Sequence, residues 1–350
     1  MRYLLNRFML IVMICLIGCQ PSDNQSILES IESFEIDEPV IFVDFINQGL
    51  YLPGQIVLLD NGFIAVLDYP TNEVLVFDPE AKLINRFGGE GQGPGETVAA
   101  RYLQKTENYL YVIDPDLLRV NQFSKAGNFI KSFSFDTGMA ERIISVKHGG
   151  VYFKAAMGAN GALIRKTDTE SGSTQYFGKA MGEEYRPGDL EIERRRLQQG
   201  EIPELFKNRV TMYFSNDHLY VFLDSYSLLH KYTAEGELVW ESQIDLPVND
   251  LIFERAVERA REPGAPGTVP TWRFITSMKV ISGNIYLLWT PFEETPRQLV
   301  LVNESGEVDR IYHIPEKEPM FADFTIDPEN KLIYFTAPET GRIFRSRLPY

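Results

Sequence analysis

Arginine and aspartate return along this chain at spacings that could build a charged site. Arg101 and Arg142 each stand ten residues before a tyrosine, Tyr111 and Tyr152, while Arg209 precedes Tyr220 by eleven and Arg273 precedes Tyr286 by thirteen. A guanidinium grips carboxylate or phosphate in a fixed fork, so arginines gathered in one place would select an anionic ligand. Pairing with nearby aspartates is the competing use in an acidic chain. Asp68, Asp114 and Asp224 close one repeated apolar phrase, as in Leu110-Tyr111-Val112-Ile113-Asp114. Together such carboxylates could hold a hard cation; singly, each would accept backbone N–H bonds in its own turn. Trp272, with Tyr185 and Arg186, could add an aromatic wall to a ligand site or belong to the core.

Other chemistries find little footing. The run Gly88-Gly89-Glu90-Gly91-Gln92-Gly93-Pro94-Gly95 leads from strand to strand with no Lys-Ser/Thr after it. A phosphate cradle needs a helix N-terminus there, so the run reads as a turn. His148, His218, His230 and His313 are scattered, with no pair at metal-ligand spacing. Glu293 and Glu294 are adjacent on a loop and point apart. No nucleophile elbow, zinc-protease or Walker motif occurs. No catalytic residue, metal or cofactor is therefore expected. A propeller enzyme of lyase or hydrolase type with an axial site is kept as the alternative.

The elements that must position these residues are strands. The phrase ending at Asp114 is followed by Val120-Asn121-Gln122-Phe123, and the pair returns in Ile64-Ala65-Val66-Leu67-Asp68 with Val74-Leu75-Val76-Phe77. Units of about 40 residues with four short strands each indicate a β-propeller. Six units span 54–96, 98–137, 141–180, 209–247, 273–315 and 320–348. Gly127, Gly172, Gly236 and Gly306 supply the positive φ of the hairpins between third and fourth strands. The last unit runs out after three strands, at 321–326, 332–335 and 343–347, and residues 40–46 are expected to add its fourth and close the ring. Two inserts break the rhythm. One is a charged helix over 189–199. The other is an amphipathic helix after an Asx cap at Asn249-Asp250, with Ile252, Phe253, Ala256, Val257 and Ala260 on one face. Connectivity puts both helices, the Gly-rich loop and the loops after the three aspartates on one face. First strands line the central channel, which places Arg101, Arg142 and Arg209 at its mouth. The expected fold is all-β, a six-bladed β-propeller with two short helical insertions on one face.

Arg2 and Arg7 precede a short apolar run, Phe8 to Ile17, which has the form of a secretory signal rather than a span. It ends in Leu16-Ile17-Gly18-Cys19, which resembles the lipobox of bacterial lipoproteins. That resemblance implies cleavage before Cys19 and acylation there, palmitate included. Gln20, rather than aspartate, after the cysteine points to the outer membrane, facing either the periplasm or the cell surface. The chain then divides into a signal peptide (1–18), a tether (19–33) and the propeller (34–350). Cys15 and Cys19 are the sole cysteines, so a processed chain would hold no disulfide. Loss of residues 1–18 would take the formal charge from −15 to −17, a poor balance for nucleic acid.

Arg86-Phe87-Gly88-Gly89-Glu90-Gly91-Gln92-Gly93-Pro94-Gly95-Glu96 resembles the inter-blade motif of NHL-repeat propellers, and is closer still to that of six-bladed propeller lipoproteins of bacteria. The likeness covers about 54–135 and fades in the third unit, where Phe153-Lys154 stand in place of the aspartate. It implies six blades and a binding role, and carries over no catalytic residue. The function expected is a lipid-anchored, non-catalytic binding or protein-interaction platform of the cell envelope, a monomer, with an unknown protein, peptide or anionic small-molecule partner on the loop-rich face. A docking subunit of an envelope complex is a further reading.

Overall fold

Strands that are apolar on both faces must be covered on both faces, and here neighbouring sheets stand on edge around an axis to cover them. The computed structural model describes residues 31–44, 48–136, 144–148, 150–184, 188–263, 268–289, 296–316 and 318–349. Chain contacts divide at Ile31 and Glu32, and the unit from Glu32 onward is a six-bladed β-propeller. The signal region, Cys19, Arg142, Tyr185 and Arg186 lie outside the described residues.

The second strands show the pattern most clearly. Ile64–Asp68 is buried at every position, and His218–Leu223 at every position but the first. The outermost strand Phe129–Ser134 is mostly exposed, as suits a rim. Inner strands are Pro53–Leu58, Tyr102–Lys105, Ile144–His148, Val210–Ser215, Ser277–Ile281 and Asp323–Asp327, for blades 1 to 6 in turn. Each blade is an antiparallel meander outward from these.

Blade 6 takes its fourth strand from the start of the unit. Val40–Asp44 pairs antiparallel with Arg342–Arg347, Ile41 opposite Phe344 and Val43 opposite Ile343. Upstream, Glu32–Glu35 lies parallel along Val308–Ile314 as a fifth strand of blade 5, with Phe34 stacked on Tyr312 at 5.8 Å. Glu32 and Ser33, assigned to the tether by sequence, are in this strand. One short stretch thus staples the last two blades and covers an edge.

The hairpin glycines have a second reason beyond their dihedrals. A Cβ on Gly127 would lie 2.4 Å from the Phe87 ring of the preceding blade, and one on Gly236 2.7 Å from that of Phe177. The outer strands of blades 1 and 3 thus press an aromatic ring on the next blade's hairpin, where only hydrogen fits.

Three helices stand among the described residues: α1 (Leu190–Gln198), α2 (Glu204–Lys207) and α3 (Pro247–Arg261). Asp189 caps α1 by accepting the Glu191 N–H at 2.9 Å. The Asx cap expected for α3 is corrected. The helix begins at Pro247, whose fixed φ suits a first position, and Asn249 lies inside it. The Asn249 side chain is buried and donates to Ser227 Oγ (3.1 Å) and Ile244 O (2.9 Å), while its Oδ1 accepts from Trp289 Nε1 (3.0 Å). It therefore joins blades 4 and 5. From α1, the buried Arg194 donates to Ala260 O (2.9 Å) and Glu262 O (2.6 Å), a cation on the carbonyl end of α3. None of the described helices is long and apolar enough to cross a membrane.

Candidate functional site at the propeller axis

The inner strands enclose an axial cavity of about 130 Å³. Every blade contributes to its wall, with Gln55, Tyr102, Ser145, Tyr213, Lys279 and Asp323 from blades 1, 2, 3, 4, 5 and 6. Much of this lining is spent on joining blades. Gln55 Oε1 accepts the Leu103 N–H at 2.8 Å. Gln104 pairs with Val146 through both its amide atoms, at 2.7 and 2.8 Å, and Ser145 Oγ accepts the Phe214 N–H at 2.9 Å. Asp323 is buried and accepts from Lys279 Nζ (2.8 Å), the Ile56 N–H (2.9 Å) and Ser277 Oγ. Lys279 also donates to Ile56 O at 3.2 Å. This buried pair ties blades 5, 6 and 1, and nothing in the local sequence pattern singled it out.

At the N-terminal ends of the inner strands, on the face carrying the inserts, the arginines differ from one another. Arg101 is exposed, with its guanidinium 5.6 Å from the Tyr69 ring centre. Arg209 is half-buried, 4.5 Å from the Phe206 ring centre, and donates to Trp272 O at 3.5 Å. Arg273 is exposed, forms part of the cavity wall and makes no hydrogen bond among the described residues. Tyr69 was missed by sequence reasoning. A Cβ on Gly54 would sit 2.2 Å from its ring, so the glycine that opens the first inner strand was the available signal. Burial raises the Tyr69 phenol well above its ordinary value, with Asp323 and Tyr102 adding to the shift.

The three aspartates are not equivalent. Asp68 accepts the N–H groups of Tyr51 (3.0 Å) and Leu52 (2.7 Å) and the Thr71 hydroxyl (2.8 Å). Asp114 accepts four N–H groups, from Val98, Ala99, Asp116 and Leu117. These two hold turns, the role weighed for such carboxylates beside cation binding. In blade 4 the residues before the inner strand belong to α2 and its cap, and the Arg209 N–H turns back to Phe206 O (3.2 Å). Asp224 is left with the Thr211 hydroxyl at 3.1 Å on one oxygen and no hydrogen-bond partner among the described residues on the other. Burial lifts its pKa to about 6, against the pull of the Arg273 and Arg209 guanidiniums.

Trp272 is buried, packed edge-on against Phe206 (5.1 Å) and Phe253 (5.2 Å). It anchors the inserts on blade 5, the core role weighed for it beside a ligand wall. In blade 3, Lys154 replaces the aspartate and donates to Asp136 O at 3.2 Å. The Gly-rich loop folds over a side chain of its own: Glu96 accepts the Gly93 N–H at 2.8 Å, and a Cβ on Gly91 would strike its carboxylate. No group of three or more metal-ligating residues occurs among the described residues.

Similar folds occur in solved structures. A Bacteroides fragilis protein described as a candidate exported protein is 11% identical, with a TM-score of 0.54 over 91% of this chain and 99% of that one. A member of the DUF4221 family from Bacteroides vulgatus is 11% identical, with a TM-score of 0.52 over 90% and 94%. Virginiamycin B lyase from Staphylococcus aureus is 13% identical, with a TM-score of 0.49 over 88% and 98%. No curated protein matches the chain in sequence. Residues 51–183 match the family DUF5128, described as a six-bladed β-propeller, and the ring built here has those six blades.

Proposed function

We propose that the chain is a non-catalytic binding module of the bacterial cell envelope, anchored by lipid on Cys19, that receives the anionic group of a small molecule or peptide at the axial mouth. The observation that carries the binding site is the contrast in the cavity wall. Lys279 and Asp323 satisfy each other, whereas Arg273 presents an exposed guanidinium with no hydrogen bond among the described residues. Arg101 and Tyr69 stand on the same face, and Arg209 adds positive potential near Asp224. The cavity, at about 130 Å³, is smaller than the ~300–1,000 Å³ of a pocket that engulfs a ligand. It suits a carboxylate or phosphate headgroup, with the ligand body lying across the loops. The anchor reading rests on Leu16-Ile17-Gly18-Cys19 and the apolar run before it. An NHL-like binding role fits the Gly-rich junction at 86–96.

A melting screen with citrate, galacturonate and phosphate tests the site. A ligand at a hundred times its Kd should stabilise the ring by about 2.7 kcal/mol, and Arg273→Ala should remove that gain without lowering the ligand-free melting temperature. If no anion shifts the wild type, or the variant shifts equally, the site is not there. Palmitate labelling of Cys19→Ala tests the anchor separately, since continued incorporation would refute it.

A further inference from the structure

We propose that the opposite face of the ring carries a second site, for a small organic anion with an apolar body. A pocket of about 470 Å³ opens where the inner strands of blades 2, 3 and 4 end in their first turns. That volume lies in the ~300–1,000 Å³ range of small-molecule sites. Its walls include the rings of Tyr109, Tyr213 and Phe214, which offer an apolar surface to a flat or cyclic body.

Two ammonium groups line the same space. Lys105 is half-buried, and its ammonium makes no hydrogen bond or ion pair among the described residues. The acid nearest it in charge, Asp60, is taken by Lys125 at 2.8 Å. Burial and the Lys125 charge both lower the Lys105 pKa, so an anion beside it would relieve a real deficit. Lys147 is largely covered, lies 5.7 Å from the Phe214 ring centre and reaches Asp217 only at 3.7 Å, on an otherwise exposed carboxylate. His148 and Glu107 stand exposed at the rim. Aromatic walls with a covered pair of amines fit a ligand bearing one carboxylate or phosphate on an apolar body.

The site is separate from the axial mouth. Tyr213 alone is shared, forming wall to both spaces, and none of the axial arginines lines this pocket. Failure of either site therefore leaves the other standing.

Competitive amine labelling of the full chain tests the proposal, with peptide mass spectrometry reading the acetylation rate of Lys105. The probes are phenyl phosphate, benzoate, inorganic phosphate and benzyl alcohol. Phenyl phosphate or benzoate should slow Lys105 labelling several-fold, and whichever protects identifies the headgroup. Inorganic phosphate should protect less, and benzyl alcohol not at all. Lys147→Met should raise the half-protecting concentration about tenfold, as loss of a charge-assisted hydrogen bond does. Equal labelling with every probe overturns the site. So does protection by inorganic phosphate equal to that by the aromatic anions, or protection unchanged in Lys147→Met. The wild-type arms decide the matter even if that variant folds poorly.

Discussion

Asp323 and Asp224 are both buried beside the axis, yet they stand in opposite conditions. Asp323 draws donors from two neighbouring blades, Lys279 and Ser277 on one side and the Ile56 N–H on the other. Asp224 keeps one hydroxyl and a carboxylate that burial pushes toward neutrality. The cause is local chain geometry. Asp323 opens the inner strand of blade 6 between the inner strands of blades 5 and 1, whose side chains and one N–H reach it. Before blade 4 the chain detours through α1 and α2, and the N–H groups that would fill Asp224 are used within the helical turn. A ring thus spends its polar groups where its repeats are regular, and leaves charge available where an insert breaks them.

The regular side of that contrast should be the costly one to damage. Deleting 32–44 would strip the fourth strand of blade 6 and the fifth of blade 5, exposing the core positions of Ile36, Phe42 and Val43. Three buried apolar side chains and a lost ladder should cost at least about 5 kcal/mol, read as a lowered urea midpoint. A ring that unfolds at the wild-type midpoint would show that these strands do not close it. Next in size is Asp323→Ala, which leaves the Lys279 ammonium buried without its partner and should cost about 3–5 kcal/mol. Adding Lys279→Met should return most of that loss, because the uncompensated charge is then gone.

Sequence patterning already held most of this architecture, for identifiable reasons. Hairpin glycines and doubly apolar strands such as Ile64–Asp68 repeat at blade spacing, and a last unit short of one strand announces its closure. Glu32–Glu35 gave no such sign, because a short charged strand pairing in parallel with residues far along the chain has neither alternation nor a turn to mark it. The Lys279–Asp323 pair was silent for the same reason, with partners 44 residues apart. Asp68, Asp114 and Asp224 look alike in sequence, and only α2 tells them apart. Of the axial arginines, Arg273 was visible in its recurrence before a tyrosine, though at a longer spacing than Arg101 or Arg209. Tyr69 was hidden behind an unremarked Gly54.

The outer seams offer a control that leaves the axis untouched. Gly236 has φ +93° and the Phe177 ring against it, while Gly172 has φ +69° and nothing within 4 Å. Gly236→Ala should cost about 3 kcal/mol, from left-handed strain plus overpacking. Gly172→Ala should cost about 1 kcal/mol, from the backbone alone. Thermal unfolding of the two variants separates these contributions. Equal losses would mean that the ring-on-glycine contact between blades does not constrain the seam.

The pH dependence of stability is the most direct test of Asp224. Its folded pKa of about 6 is raised above the ordinary 3.8, so protonation favours the folded state. The stability it contributes is whole below the unfolded value and is lost as pH rises through the folded one. Between about pH 4.5 and about pH 7.5 the wild type should lose roughly 2 kcal/mol that Asp224→Asn does not lose. Asparagine keeps an acceptor for Thr211 and carries no charge to desolvate. With the carboxylate gone, Arg209 and Arg273 should hold an anion at the mouth more tightly at neutral pH, so citrate stabilisation should grow in the same variant. Parallel urea titrations at the two pH values, with and without citrate, measure both. If the two proteins share one pH profile, the guanidiniums keep Asp224 ionised and are its ion-pair partners. The axial anion site would then lose the contrast on which it stands, and the regular and interrupted sides of the ring would differ in shape alone.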